Sequence, residues 1–111
     1  MNDRDKLYVV HIAEAIERIR RFTATGRAAF LADDMIQSAV VRQIEIIGEA
    51  ARNLSGELKS DEHAVPWRKI VGTRDRLIHG YAEVNLDAVW VIVERDLAEL
   101  HREVKRILGQ S

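Results

Sequence analysis

The segment Thr73-Arg74-Asp75-Arg76-Leu77-Ile78-His79-Gly80-Tyr81 concentrates the side chains best suited to chemistry. Arg74 falls on the apolar stripe of its predicted helix, where an unpaired guanidinium would be costly, so it must be paired or directed at a ligand. His79 follows five residues later at the predicted helix end, and Tyr81 lies just beyond Gly80 in a predicted turn. A histidine with an ordinary pKa of about 6.5 can take a proton from a ribose 2′-hydroxyl or give one to a leaving 5′-oxygen near neutrality. An arginine can balance charge growing on the non-bridging phosphate oxygens without a metal. Together they suffice for RNA cleavage ending in a 2′,3′-cyclic phosphate, on a strand flexible enough for in-line attack.

Spacing sets a geometric condition on this chemistry. Five helical residues advance the chain by about 7.5 Å and rotate it by about 140°, so Arg74 and His79 do not automatically face one pocket. Either the last turn loosens and the arginine swings across, or two chains pool their motifs across a two-fold axis in a cationic cleft. A plainer reading stands beside both: a histidine in a last helical turn is favoured by the dipole, and Arg74 could be a structural ion pair with Asp75, Glu45 or Glu49. The other histidines, His11, His63 and His101, show no metal-ligand spacing, and no metal or other cofactor is expected.

The elements that must position these residues are helical. One proline and six glycines in 111 residues, with abundant Ala, Leu, Ile, Arg and Glu, favour helix throughout. Val9, Ile12, Ala13, Ile16 and Ile19 share one face of a helix from Asp3 to about Ala24, with Glu14, Glu17, Arg18 and Arg21 opposite. After a turn near Thr25-Gly26, a second helix runs from Asp33 or Asp34 to Leu54 on Ile36, Val40, Ile44, Ile47, Ala51 and Leu54. Gly48 in its middle costs about 1 kcal/mol relative to alanine, which points to close approach of another helix there.

Residues 55–65 lose the pattern and read as a polar surface loop. Pro66 suits the first position of a third, short helix carrying Trp67, Ile70, Val71, Arg74, Leu77 and Ile78 on one face, with Gly80 as its stop. The last helix begins after Asn85 as cap and runs to Leu108 before Gly109. The run Val89-Trp90-Val91-Ile92-Val93 has strand propensity, but its helical period continues for four more turns, so it is read as helix. The expectation is one all-α domain over residues 1–111, an antiparallel bundle of four main helices with room for one extra short helix.

Composition narrows the function classes. With 17 basic against 18 acidic residues the chain is close to neutral, which argues against a general nucleic-acid coat protein and makes any such contact local. The clusters Arg18-Arg20-Arg21, Arg68-Lys69 and Arg102-Lys105-Arg106 read as solvated helix faces. The absence of cysteine removes disulfides and thiolate chemistry. No apolar run is long enough to span a bilayer and the first residues lack the order of a signal peptide, so a cytoplasmic protein without membrane or DNA contact is expected.

The order Arg74, four residues, His79, one residue, Tyr81 resembles the R-x4-H-x-Y motif of the HepT-like ribonucleases, a branch of the HEPN superfamily of α-helical domains. Residues 42–50 (RQIEIIGEA) resemble that family's second-helix stretch, Pro66 to Ile70 the approach to the motif helix, and Leu86 to Trp90 the start of its last helix. The resemblance covers nearly the whole chain. It implies the toxin of a toxin–antitoxin pair, a homodimeric, metal-independent ribonuclease acting on cellular RNA. It also implies a minimal nucleotidyltransferase as antitoxin, joined with the toxin in a larger hetero-oligomer. On that likeness Arg74 and His79 are the catalytic pair, Asp75 supports them, and Tyr81 is the tyrosine that receives AMP. Glu49 matches a family-typical acidic residue, either packing near Gly48 or pairing with Arg74. A non-catalytic partner- or nucleotide-binding subunit of a nucleotidyltransferase complex is the alternative.

Overall fold

A computed structural model describes residues 1–79 and 85–109, with Ile78 and His79 described by their backbone alone. Its first helix, α1 (Asp3–Phe22), starts where the Asn2 side chain accepts a hydrogen bond from the Asp5 amide at 2.7 Å. That bond satisfies one of the amides a helix start leaves free. Acidic Asp3 and Asp5 lie in the first turn and Arg20 and Arg21 in the last, each at the end of the helix dipole that favours its charge. Val9, Ile12, Ala13, Ile16 and Ile19 are all buried, as their spacing predicts.

Between the first two long helices the structure places a short one, α2 (Arg27–Ala32), where the sequence reading has only a turn. Gly26, at φ 96°, occupies its N-cap position, in a conformation that favours glycine. Phe30 of α2 is fully buried and stacks 5.5 Å from the ring of Trp90, which explains why six residues without helical periodicity still hold a helix. The second long helix, α3 (Asp34–Arg52), begins at Asp33, whose carboxylate accepts from the Met35 amide at 2.9 Å.

The segment expected to be a loop also contains a helix, α4 (Gly56–Asp61), which buries Leu58. Its start is pinned from a distance. Asp5, 3% exposed, accepts from the Ser55 amide at 2.8 Å and the Ser55 hydroxyl at 2.6 Å, while that hydroxyl oxygen accepts from the Leu58 amide at 3.1 Å. Ser55 supplies the cap itself, and the tertiary contact to α1 holds that cap in place. Helix α5 (Trp67–His79) follows Pro66, and its buried Trp67 donates its indole N–H to the Glu62 carbonyl at 3.1 Å.

Asn85 caps α6 (Leu86–Val91), accepting from the Ala88 amide at 3.1 Å, as expected from its position. The last helix is not continuous α-helix, however. A π-helical turn over Ile92–Asp96 separates α6 from α7 (Leu97–Ile107), and the Leu97 amide reaches back to the Ile92 carbonyl. The wider turn absorbs one residue and lets Val89 on one side and Leu97, Leu100 and Val104 on the other all reach the core. Gly109, at φ 74°, closes the helix.

These elements form an all-α bundle, with no strand among the described residues. Helix α3 lies between α1 and α5, and α7 packs against α1. The four main helices of the sequence reading are present, with two short ones added where one was allowed for. No described helix is long and apolar enough to cross a membrane.

Candidate active site

The site is built where α5 crosses α3. The two helices approach so closely that a Cβ at Gly48 would lie 2.1 Å from the Arg74 Cβ and 2.7 Å from its Cγ. Any side chain at position 48 would displace the arginine stem. The glycine is the seat of Arg74, and the close approach inferred from a glycine in mid-helix is present.

From that seat the guanidinium reaches two carboxylates. Arg74 Nη2 lies 3.0 Å from Glu49 Oε2, and Nη1 donates to Asp75 Oδ1 at 3.1 Å. Of the two roles left open for Glu49, pairing with Arg74 is the one its carboxylate makes. Asp75 accepts in turn from Arg52 Nη2 at 2.7 and 2.9 Å. The far oxygen of Glu49 takes a hydrogen bond from Asn53 at 3.4 Å. A chain of alternating charge, Arg52–Asp75–Arg74–Glu49, thus ties α3 to α5 and orients the guanidinium.

Only 22% of the Arg74 side chain is exposed. Each terminal nitrogen carries two N–H groups and spends one on a carboxylate, so donors remain for an anion.

Arg74 forms one wall of an open groove of about 180 Å³, whose other walls include Tyr8 and His11 of α1 and Arg42, Glu45 and Glu49 of α3. His79 is the last described residue of α5, and the stop expected at Gly80 lies outside the described residues. The His79 side chain, and the whole of Tyr81, fall outside the described part of the chain. Arg74 and Asp75 are brought together directly.

Tyr8, His11 and Arg42 are the groove residues that sequence reasoning did not single out. A signal existed in the spacing of Tyr8 and His11 on one face of α1, and of Arg42, Glu45 and Glu49 on one face of α3. Which faces meet is decided by packing. The remaining histidines are elsewhere: His63 is exposed, its Nδ1 3.3 Å from the Ser60 carbonyl, and His101 is buried on α7. Burial lowers the His101 pKa, helped by the nearby charges of Arg20 and Lys105, with Glu17 opposing. Among the described residues no three histidine or carboxylate side chains are grouped as a metal site would need.

Comparison with known proteins decides the family. The family described as "Ribonuclease HepT-like" matches residues 12–107. The chain belongs to the HepT-like ribonuclease family. Similar proteins carry the same theme. "Putative RNase TTE0752" of Caldanaerobacter subterraneus subsp. tengcongensis is 39% identical over 105 residues, 94% of each chain. "Probable ribonuclease HepT" of Thermococcus cleftensis is 38% identical over 96% of this chain and 98% of that one. A third, "Gamma-glutamylcyclotransferase and putative RNase MJ0434" of Methanocaldococcus jannaschii, is 38% identical over 95% of this chain but only 48% of its own length. No solved structure matches the chain. Membership in a HepT-like family makes RNA the substrate class and fits the all-α bundle.

Proposed function

We propose that this HepT-like chain is a metal-independent endoribonuclease acting as the toxin of a toxin–antitoxin pair, with Arg74 and His79 as its catalytic residues. The observation that carries the reading is Arg74 itself, clamped over Gly48 by Glu49 and Asp75 with donors to spare, on the helix that ends at His79. Two copies pairing across a two-fold axis bring two such arginines and two histidines to one cleft.

There, one imidazole removes the 2′-hydroxyl proton as the oxygen attacks phosphorus, and a second, protonated imidazole delivers a proton to the departing 5′-oxygen. Arg74 stabilises the charge on the phosphorane oxygens, and the products are a 2′,3′-cyclic phosphate and a free 5′-hydroxyl. Asp75 positions Arg74 rather than touching substrate. A minimal nucleotidyltransferase neutralises the toxin by moving AMP from ATP to the Tyr81 hydroxyl with release of pyrophosphate. AMP at Tyr81, two residues along the chain from His79, adds negative charge to a site that must receive an RNA phosphate.

One observation favours the alternative, a non-catalytic partner-binding subunit: two carboxylates on one arginine are also what a purely structural ion pair would show. The deciding experiment is RNA cleavage in EDTA by protein shown by intact mass to be unmodified, with His79→Ala alongside. Cleavage that disappears in the variant supports the ribonuclease. Absence of cleavage across a broad RNA panel, with tight binding to a nucleotidyltransferase, would favour the subunit.

A further inference from the structure

The groove beside Arg74 holds a second set of groups that cleavage chemistry does not use. On α1, the rings of Tyr8 and His11 meet edge to face, 6.1 Å between centroids and 85° between planes, and the Arg4 guanidinium stands 5.8 Å over the Tyr8 ring. On α3, Arg42 and Glu45 line the same groove, and neither has an ion-pair partner among the described residues. His11 and Arg42 are exposed, whereas Tyr8 and Glu45 are half-buried. Polar groups of Tyr8, His11, Arg42, Glu45, Glu49 and Arg74 share its walls with apolar surface that includes Ile46 and Ala50.

We propose that this groove is a nucleotide subsite, taking one unpaired base of the RNA strand next to the phosphate held by Arg74. The exposed His11 ring, braced edge to face by Tyr8, supplies the stacking face, since every base has a π-face and single strands are held in that way. Arg42 contacts a flanking phosphate. The free Glu45 carboxylate accepts from an exocyclic amine on the base edge, which favours adenine, cytosine or guanine over uracil. The open groove, about 180 Å³, has room for a base.

This inference rests on the ribonuclease reading of Arg74 and His79, and its test separates the two. Unmodified full-length chain and its His11→Ala, His11→Phe, Arg42→Ala and Glu45→Gln variants are given short single-stranded oligoribonucleotides of defined sequence. The expected result is a KM raised about tenfold in His11→Ala and Arg42→Ala, with kcat little changed. His11→Phe, which keeps a ring, recovers most of the loss, and Glu45→Gln shifts the preference between uracil and the amino-bearing bases. Because His11 and Arg42 are exposed, their replacement leaves the bundle intact, which thermal melting verifies. Wild-type cleavage with unchanged KM and base preference in all variants would overturn the subsite alone. A wild-type chain that cleaves no RNA would bring down the ribonuclease reading and the subsite with it.

Discussion

Gly48 and Arg74 occupy each other's space: the arginine stem lies where the side chain of any other residue at position 48 would be. The helix-breaking cost of the glycine is the condition for placing a guanidinium between Glu49 and Asp75. A contrast follows within the same fold. Gly72 is also in mid-helix, but a Cβ there would meet nothing within 4 Å. Gly48→Ala should destabilise the protein by about 1–3 kcal/mol through overpacking. Gly72→Ala should stabilise it by up to about 1 kcal/mol on helix propensity. Urea denaturation of both variants checks the pair, and equal effects would remove the packing argument.

On the proposed mechanism, Glu49 acts on cleavage through its ion pair with Arg74. With Glu49→Gln the ion pair is lost, yet the side chain stays half-exposed and similar in size, so stability should change by less than about 1 kcal/mol. Cleavage is expected to fall by about 10²-fold, because a misplaced guanidinium no longer meets the phosphorane oxygens. The fall should appear in kcat more than in KM, with Glu49→Asp in between. A variant that loses stability and activity in proportion would make Glu49 structural only.

His101 makes folding stability sensitive to pH. Its pKa is lowered in the folded state, chiefly by burial, so between that value and the ordinary 6.5 the unfolded chain binds more protons than the folded one. Its contribution is therefore complete above pH 6.5 and is lost as pH falls through the lowered value. The facing charges are Glu17, Arg20 and Lys105. Denaturation midpoints measured from pH 7.5 down to pH 5 should decline more steeply in the wild type than in His101→Gln, where this titration is absent.

Much of the fold was legible because long amphipathic periods are a local record of burial. Val9 to Ile19 on α1 and Val40 to Ala51 on α3 repeat every three or four residues, and only one face can be inside. Asn85 as a cap and Gly109 as a stop were legible for the same reason, since their chemistry acts within one turn. The short helices α2 and α4 were not. Phe30 is buried by Trp90, and Ser55 is held by Asp5, each from a partner about fifty residues or more away.

The same division runs through the site. Sequence alone determined the candidates: an arginine on an apolar stripe, a histidine five residues on at a helix end, a tyrosine just beyond, and a glycine in mid-helix that had to face something. Residue types and spacing state what chemistry is available, because protonation and hydrogen bonding are properties of single side chains. Tertiary structure alone decided that Gly48 faces Arg74, that Glu49 and Asp75 hold its fork, and that Tyr8, His11 and Arg42 share its groove. Those facts depend on the rotation of α1, α3 and α5 about their axes. That rotation is set by packing summed over the whole core, which no local stretch of sequence contains.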